Sequence, residues 1–250
     1  MEFYSLSNIG LVRSKNQDSY VTIYNENHDL LVLVCDGIGG NKAGEVASYE
    51  IVKYFASVFA NHKGFKDDED AITYLKYHTR MASNHVYKLS ILNKDYEGMG
   101  TTITGILISS IGSFVLNAGD SRVYGLSDGT LHQLTKDHTY VNELLERRFI
   151  TEEEAKVHPK RHYLTKCLGI YEEAICEAYR ISGLSDYYLV CSDGLHGYVD
   201  DKTMEAILNK KNVSLMSKAN ELLDQALKAG GYDNITLVLI KVGKGDCYGK

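Results

Sequence analysis

The feature that most constrains the fold is a set of three almost uninterrupted apolar runs, at residues 30–35, 187–191 and 235–240. Runs this short and this apolar are typical of strands buried on both faces, because a strand with one wet face would alternate polar and apolar residues. The chain must therefore cover both faces of its sheets. Further strands are predicted at 101–109, 113–116 and 123–126.

Three amphipathic segments predict helices, and their order indicates the fold class. They span residues 45–60, 70–92 and 214–229. The first two follow one another with no strand between them, whereas the later strands come in runs. This order favours segregated α+β layers over a doubly wound parallel sheet.

Composition and charge exclude several classes of protein. The 250 residues carry a formal charge of −6, which argues against a nucleic-acid binder, whose binding face is usually basic. No apolar stretch approaches the roughly 20 residues of a membrane helix, and the N-terminus lacks a signal-peptide pattern. Five cysteines with no C-x-x-C pair argue against a disulfide framework or a zinc site. We therefore expect a cytoplasmic protein without a membrane or nucleic-acid partner.

The chain has no internal repeat, no low-complexity tract and no linker rich in proline, glycine or serine. The expected organisation is one domain over residues 1–242, followed by a short polar tail at 243–250.

Four aspartates lie at the ends of predicted strands, each near a glycine. Asp36 and Asp193 end or follow apolar runs, Asp233 precedes one, and Asp120 lies between two strands. Each alone predicts no more than a turn, because Asp-Gly is a common turn pair. As a set they suggest a metal site, since converging carboxylates repel one another unless a cation binds them. Carboxylate and carbonyl oxygens suit Mg²⁺ or Mn²⁺, although spacing alone does not establish convergence.

Other phosphate chemistries fit the sequence poorly. The stretch G-I-G-G-N-K-A-G at 37–44 follows a strand and opens a helix, but it lacks the third glycine of a dinucleotide fingerprint and the G-K-[ST] of a P-loop. No cysteine has the arginine six residues later that a cysteine phosphatase needs, and no G-x-S-x-G elbow occurs.

A series of motifs follows in a fixed order along the chain, from Asn8 to Val242. They are G-L-V-R-S-K-N-Q-D-S (10–19), C-D-G-I-G-G-N-K-A-G-E-V-A-S (35–48), G-M-G-T-T (98–102), N-A-G-D-S-R-V-Y (117–124), L-T-K-D-H-T (134–139), L-T-K-C-L-G (164–169), C-S-D-G-L (191–195) and G-G-Y-D-N-I-T (230–236). One such motif is weak, but the series resembles the metal-dependent protein phosphatase family, the type 2C serine/threonine phosphatases, in its compact bacterial form.

The resemblance implies an α+β fold in four layers, an α/β/β/α sandwich of two antiparallel sheets flanked by helix pairs. A mobile flap is expected over the site at about residues 139–163. The implied activity is metal-dependent hydrolysis of phosphoserine and phosphothreonine in proteins. A hydroxide bridging two metal ions attacks phosphorus, and Arg13 binds the substrate phosphate because its fork matches two phosphate oxygens.

The resemblance also implies a role for each acid. Asp36 would bridge two metal ions, with the carbonyl of Gly37 on the second, so that Asp36 and Arg13 form the catalytic pair. Asp193 and Asp233 would complete the first metal. The third metal of bacterial members would be held by Asp120 together with Asp193, and Asp18 would act in the outer shell through water.

The expected cofactors are Mn²⁺ or Mg²⁺, two or three per chain. The expected partners are phosphorylated proteins, among them a cellular serine/threonine kinase and the substrates of that kinase. The chain is expected to be a monomer.

The chain departs from the family at the general acid. A serine alkoxide is a poor leaving group that benefits from a proton, and the family often places a histidine in the D-G-x-G-G segment or just after it. Here these positions are Ile38 and Asn41. A catalytically weak protein that binds a phosphorylated partner therefore stays open as a second reading. A third is an anti-anti-sigma-factor phosphatase, which usually carries a sensor domain.

Smaller expectations concern residues near the motifs. His138 is expected to be structural, below the flap, and His196 to lie at the rim of the site. His162 replaces the asparagine that is commoner in the flap. Thr101 and Thr102 either bond the loop carrying Asp36 or simply begin a strand.

Overall fold

The computed structural model describes residues 1–38, 43–183 and 185–243. Asn41 and residues 244–250 of the predicted tail lie outside the described residues. The strands are β1 (Glu2–Asn8), β2 (Asp18–Tyr24), β3 (Leu30–Ile38), β4 (Gly100–Thr101), β5 (Ile103–Ser109), β6 (Gly112–Ala118), β7 (Arg122–Ser127), β8 (Thr130–Gln133), β9 (Glu177–Ile181), β10 (Tyr187–Cys191) and β11 (Ile235–Lys241). The helices are α1 (Gly44–Phe59), α2 (Asp68–Leu92), α3 (Tyr140–Glu146), α4 (Glu152–Val157), α5 (Asp193–His196), α6 (Asp201–Leu208) and α7 (Leu215–Lys228), with a 3₁₀ turn at Lys94–Tyr96.

The strands form two antiparallel sheets. One has the order β1-β11-β10-β7-β8, and the other has the order β2-β3-β5-β6-β9, with the short β4 also paired to β3. Helices α1 and α2 pack on the second sheet, and α6 and α7 contact the first. The predicted α+β sandwich is confirmed.

Three hydrophobic layers explain the continuous apolar runs. In β3, Leu31 and Leu33 face the core beneath α1 and α2, whereas Leu30 and Val32 belong to the core between the sheets. In β11, alternate residues divide in the same way between the inter-sheet core and the core beneath α5, α6 and α7. Because successive strand residues point to opposite faces, both faces must be apolar when both are covered.

The predicted elements have nearly the observed boundaries, with one exception. The segment predicted as one strand at 101–109 is interrupted at Thr102, where β4 ends and β5 begins. Thr102 turns its backbone N–H to the carbonyl of Asp36 at 2.8 Å. The interruption therefore joins this segment to the site-bearing end of β3.

The predicted flap region contains α3 and α4. A capping box begins α4, where the Thr151 hydroxyl accepts from the Glu154 N–H and the Glu154 carboxylate accepts from the Thr151 N–H. At the ends of this segment, the Tyr140 N–H donates to the Tyr163 carbonyl at 2.8 Å, and Thr139 pairs with Leu164. The two ends of residues 139–163 are thus held to each other.

No helix in the described parts of the chain combines the length and the apolar character that crossing a membrane requires.

Candidate active site

A cleft of about 620 Å³ opens at the end of the sandwich where the predicted acids lie. Its lining includes six of the seven predicted site residues: Arg13, Asp36, Gly37, Asp120, Asp193 and Asp233. The second sheet contributes Asp36, at the end of β3. The first sheet contributes Asp193, which follows β10, and Asp233, which precedes β11. The β6–β7 connection contributes Asp120. The structure therefore brings together residues that are as many as 220 positions apart in sequence, Arg13 and Asp233.

Asp36 is fixed by the interrupted strand beside it. Its backbone N–H donates to the Thr102 hydroxyl at 2.9 Å, and the Thr101 hydroxyl donates to the Asp36 carbonyl at 2.9 Å. Of the two alternatives left open for these threonines, the structure shows the first, since both bond the segment carrying Asp36. Next to it, a Cβ on Gly37 would lie 2.3 Å from the carbonyl oxygen of Gly44, so only glycine fits there.

Asp18 lies behind the cleft and directly opposite Asp36 in the β2–β3 pairing. The Ser192 hydroxyl donates to Asp18 Oδ2 at 2.7 Å, whereas Asp18 Oδ1 is buried with no hydrogen-bond partner in the described structure. Burial raises the pKa of Asp18 to about 7. Ser192 was not singled out from the sequence, although it stands in the C-S-D-G-L motif.

Asp193 begins α5 immediately after β10, and its Oδ1 atom is buried without a hydrogen-bond partner among the described residues. One turn later, His196 was expected at the rim, and that expectation is wrong. Its Nε2 lies 2.9 Å from the backbone carbonyl of Asp120, so the ring connects α5 to the β6–β7 turn. Because a carbonyl only accepts, Nε2 carries the proton, and burial lowers the pKa of His196 to about 3.

Asp233 is held by the guanidinium of Arg13 and by a backbone N–H. Arg13 Nη2 donates to Asp233 Oδ2 at 2.7 Å, and the Asn234 N–H donates to Asp233 Oδ1 at 2.8 Å. The Asn234 side chain also accepts from the Gln17 N–H at 2.8 Å and donates to two backbone carbonyls of residues 9–15. Asn234 therefore fixes the loop that carries Arg13 against the start of β11, a role that sequence reasoning missed.

His138 was expected to be structural, and its contacts agree. The buried ring accepts from the Gly119 N–H at Nδ1, at 3.2 Å, and its Nε2 lies 3.0 Å from Glu177 Oε1. Since Gly119 precedes Asp120, His138 supports the turn that carries this acid. Its backbone carbonyl accepts from the Thr165 N–H at the base of the flap.

The electrostatics of the cleft show that the acids interact. Burial, and then repulsion by Asp18 and Asp193, raise the pKa of Asp36 well above its ordinary range. Burial is also the main cause that raises the pKa of Asp193, followed by repulsion from Asp233. The pKa of Asp120 rises to about 8 for the same two kinds of reason. This is the situation that a bound cation relieves.

The residues present fit a hard divalent cation. The donors are oxygen atoms only, and the buried Oδ1 atoms of Asp18 and Asp193 lack hydrogen-bond partners among the described residues. Within residues 1–38, 43–183 and 185–243, no three His, Cys, Asp or Glu side chains are arranged closely enough to hold a metal ion by themselves, so the acids would have to move together around a cation. Arg13 is bonded to Asp233 in this arrangement, so a cation at Asp233 would have to displace or share that contact.

Comparison with known proteins places this geometry in a family. Residues 12–229 match the family model described as protein phosphatase 2C. The serine/threonine phosphatase stp of Listeria welshimeri is 33% identical over 93% of this chain and 92% of its own length. The crystal structure of the serine/threonine phosphatase Stp1 of Staphylococcus aureus superposes with a TM-score of 0.89 and 32% identity, covering 97% of this chain and 95% of that one.

A further solved structure is the catalytic domain of the serine/threonine protein phosphatase PstP in complex with two manganese ions. It superposes with a TM-score of 0.80 and 33% identity, covering 95% of this chain and 96% of that one. The sandwich, the cleft and these likenesses agree, and the chain belongs to the protein phosphatase 2C family as a protein serine/threonine phosphatase.

Proposed function

We propose that this phosphatase depends on two or three bound divalent cations, Mn²⁺ or Mg²⁺. The residues that would hold them are Asp36, the carbonyl of Gly37, Asp193 and Asp233 for two ions, Asp120 with Asp193 for a third, and Asp18 through water. The observation that carries the proposal is the buried Oδ1 of Asp193, which has no hydrogen-bond partner among the described residues and lies among carboxylates whose pKa values are raised by burial and then by mutual repulsion. The two manganese ions of the PstP catalytic domain support it.

Bound at these oxygens, the cations would make a water molecule acidic enough to attack phosphorus near neutral pH and would offset charge on the phosphoryl oxygens. Arg13 binds the phosphate, because its guanidinium lies in the cleft and reaches Asp233 from a half-exposed position. Thr101 and Thr102 hold Asp36 at the end of β3, and Asn234 holds the loop of Arg13. These contacts hold Arg13 and Asp36 along the same cleft.

The proposed substrates are proteins phosphorylated by a cellular serine/threonine kinase, and that kinase is itself a proposed partner. We further propose that residues 1–242 act as one catalytic domain, as a monomer and in the cytoplasm, with 139–163 as the flap. The acidic balance of the chain supports the proposal that it has no nucleic-acid partner.

Hydrolysis of a phosphothreonine peptide by purified protein tests the metal mechanism. The assay is run with Mn²⁺, with Mg²⁺ and with chelator, alongside Asp193→Ala. We expect turnover that needs metal and disappears in the variant. Full turnover in chelator, or an Asp193→Ala variant as active as the wild type, would contradict the proposal.

A further inference from the structure

No residue described so far has been assigned to protonate the leaving group. Departure of a serine or threonine oxygen as an alkoxide is difficult, and a positioned acid contributes typically 10²–10⁴-fold. Ile38 lines the cleft but has no proton to donate. The established activity therefore leaves one role unassigned among the described residues.

We propose that His162, at the end of the flap, is the general acid that protonates the leaving oxygen of the substrate. His162 lines the same cleft as Arg13, Asp36 and Asp193. The inference rests on the proposed function, because it assigns a donor to the reaction of that same site. It gives the flap a direct part in the chemistry.

The position of His162 is fixed by its neighbours rather than by the flap tip. The next residue, Tyr163, accepts a hydrogen bond from the Tyr140 N–H at 2.8 Å and donates its own N–H to the Lys160 carbonyl at 3.1 Å. Leu164 pairs with Thr139 directly after it. His162 therefore lies at the C-terminal end of the flap, beside the cleft, and the backbone directly after it is held by the contacts of Tyr163 and Leu164.

The electrostatic contacts of His162 agree with this position. Its charge opposes the rise in the pKa of Asp193 that burial and Asp233 cause, so the ring lies near the acids of the cleft. It is nevertheless not within ion-pair distance of a carboxylate in the described structure, because none of the described ion pairs includes it. The side chain is exposed, so solvent can return a proton to it after each turnover.

Three other described groups along the cleft, Cys167, Tyr198 and Arg13, are poorer donors. Burial raises the pKa of the Cys167 thiol to about 11, and burial with nearby acids raises the pKa of Tyr198. Arg13 does not give up a proton. The charged groups that face the cleft with His162 are Arg13, Asp36, Asp120, Asp193 and Asp233. Histidine is the side-chain type whose proton transfers readily near neutral pH.

The proposed step moves one proton from His162 to the leaving oxygen. The oxygen of a water molecule forms a bond to phosphorus while the bond between phosphorus and the seryl or threonyl oxygen breaks. The electron pair left on that oxygen takes the proton of His162, giving the free hydroxyl of the product. The attacking water loses its proton to solvent, and solvent returns a proton to the imidazole, so that the products are the dephosphorylated protein and inorganic phosphate.

The test compares two leaving groups in His162→Gln, with wild type and His158→Gln as controls. His158 lies in the same flap but does not line the cleft. We expect kcat for a phosphothreonine peptide to fall about 100-fold in His162→Gln, and kcat for p-nitrophenyl phosphate to stay close to wild type, because nitrophenolate leaves without a proton. His158→Gln should leave both rates unchanged. In His162→Ala, added imidazole should restore part of the peptide rate.

Manganese binding by calorimetry and thermal unfolding in chelator accompany the rates, and both should be unchanged in His162→Gln. An equal loss on both substrates would overturn the inference, since it would mean that His162 positions the substrate and does not donate. An unchanged peptide rate would also overturn it. If the wild type hydrolyses neither substrate with metal, the proposed function itself fails, and the inference falls with it.

Discussion

The guanidinium of Arg13 and the carboxylate of Asp233 form an ion pair, with Nη2 at 2.7 Å from Oδ2. Both residues are expected to have other partners during catalysis, Arg13 the substrate phosphate and Asp233 a cation. The pair therefore links two binding events, because whatever attracts one residue frees the other.

The first prediction follows from this pair. We expect Arg13→Ala to bind Mn²⁺ more tightly, by a factor of about 1.4 to 5, because a half-exposed ion pair that competes with the cation is worth roughly 0.2–1 kcal/mol. The same variant should raise KM for a phosphopeptide about tenfold or more, since a hydrogen bond to a charged group contributes about 1.5–3 kcal/mol. Calorimetric titration with Mn²⁺ and steady-state kinetics measure the two effects. Mn²⁺ affinity that falls in Arg13→Ala would show that Arg13 does not compete with the metal.

The second prediction concerns the repulsion among the acids. In chelator, we expect Asp193→Asn to melt at the same temperature as the wild type or higher, because a neutral amide removes one charge from a buried set of like charges. Saturating Mn²⁺ should stabilise the wild type, by about 2.7 kcal/mol at 100 times Kd, and should stabilise the variant much less. Scanning calorimetry measures both. Asp128→Asn, in the exposed β7–β8 turn, is the matched control and should respond to Mn²⁺ like the wild type.

The third prediction is a pH dependence of the metal-free protein. The pKa values of Asp18 and Asp120 are about 7 and 8 in the folded chain, above the ordinary value of 3.8. Between the ordinary pKa of 3.8 and these raised values, the folded state binds more protons than the unfolded state. The stability that the two groups contribute is therefore lost as pH rises through their folded pKa values of about 7 and 8. We expect urea unfolding in chelator to show stability falling between about pH 5 and pH 8. Asp18→Asn combined with Asp120→Asn should flatten this fall, and an unchanged slope would contradict the assignment.

The fourth prediction tests the support behind the cleft. Ser192→Ala removes the 2.7 Å hydrogen bond to the buried Asp18 and should cost about 1–3 kcal/mol of unfolding free energy, because the carboxylate loses a donor it cannot replace with water. Chemical denaturation at neutral pH measures the loss. Ser57→Ala, whose hydroxyl bonds an exposed carbonyl on α1, serves as control and should change stability by less than about 0.5 kcal/mol.

The strands that were predicted and those that were missed differ in one physical respect. The continuous apolar runs became β3, β10 and β11, which lie inside their sheets and are covered on both faces. The missed strands are β1, β8, β2 and β9, the edge strands of the two sheets. Edge strands are partly exposed and carry mixed sequences such as D-S-Y-V-T-I-Y, so that no periodic signal distinguishes them from loops.

The site also has features that could be predicted from the sequence and features that could not. The acids could be predicted because they stand in short motifs at strand ends, where position in sequence carries the information. The contacts that hold these acids in place could not be predicted, because they join residues far apart in sequence. Ser192 meets Asp18 across 174 residues, and Asn234 meets Gln17 across 217. His196 was misjudged because a ring three residues beyond Asp193 can point to solvent or to the Asp120 carbonyl, and only the packing of α5 decides between them.

The pairing of β1 with β11 has a consequence for how the enzyme is made. Strand β11 lies between β1 and β10, so among the described strands β11 alone holds β1 in its sheet. Asp193 and Asp233 also belong to the final quarter of the chain. A nascent chain that ends at residue 190 therefore has an unfinished sheet and lacks both Asp193 and Asp233. Phosphatase activity should appear during translation only after β11 has emerged and paired with β1 and β10.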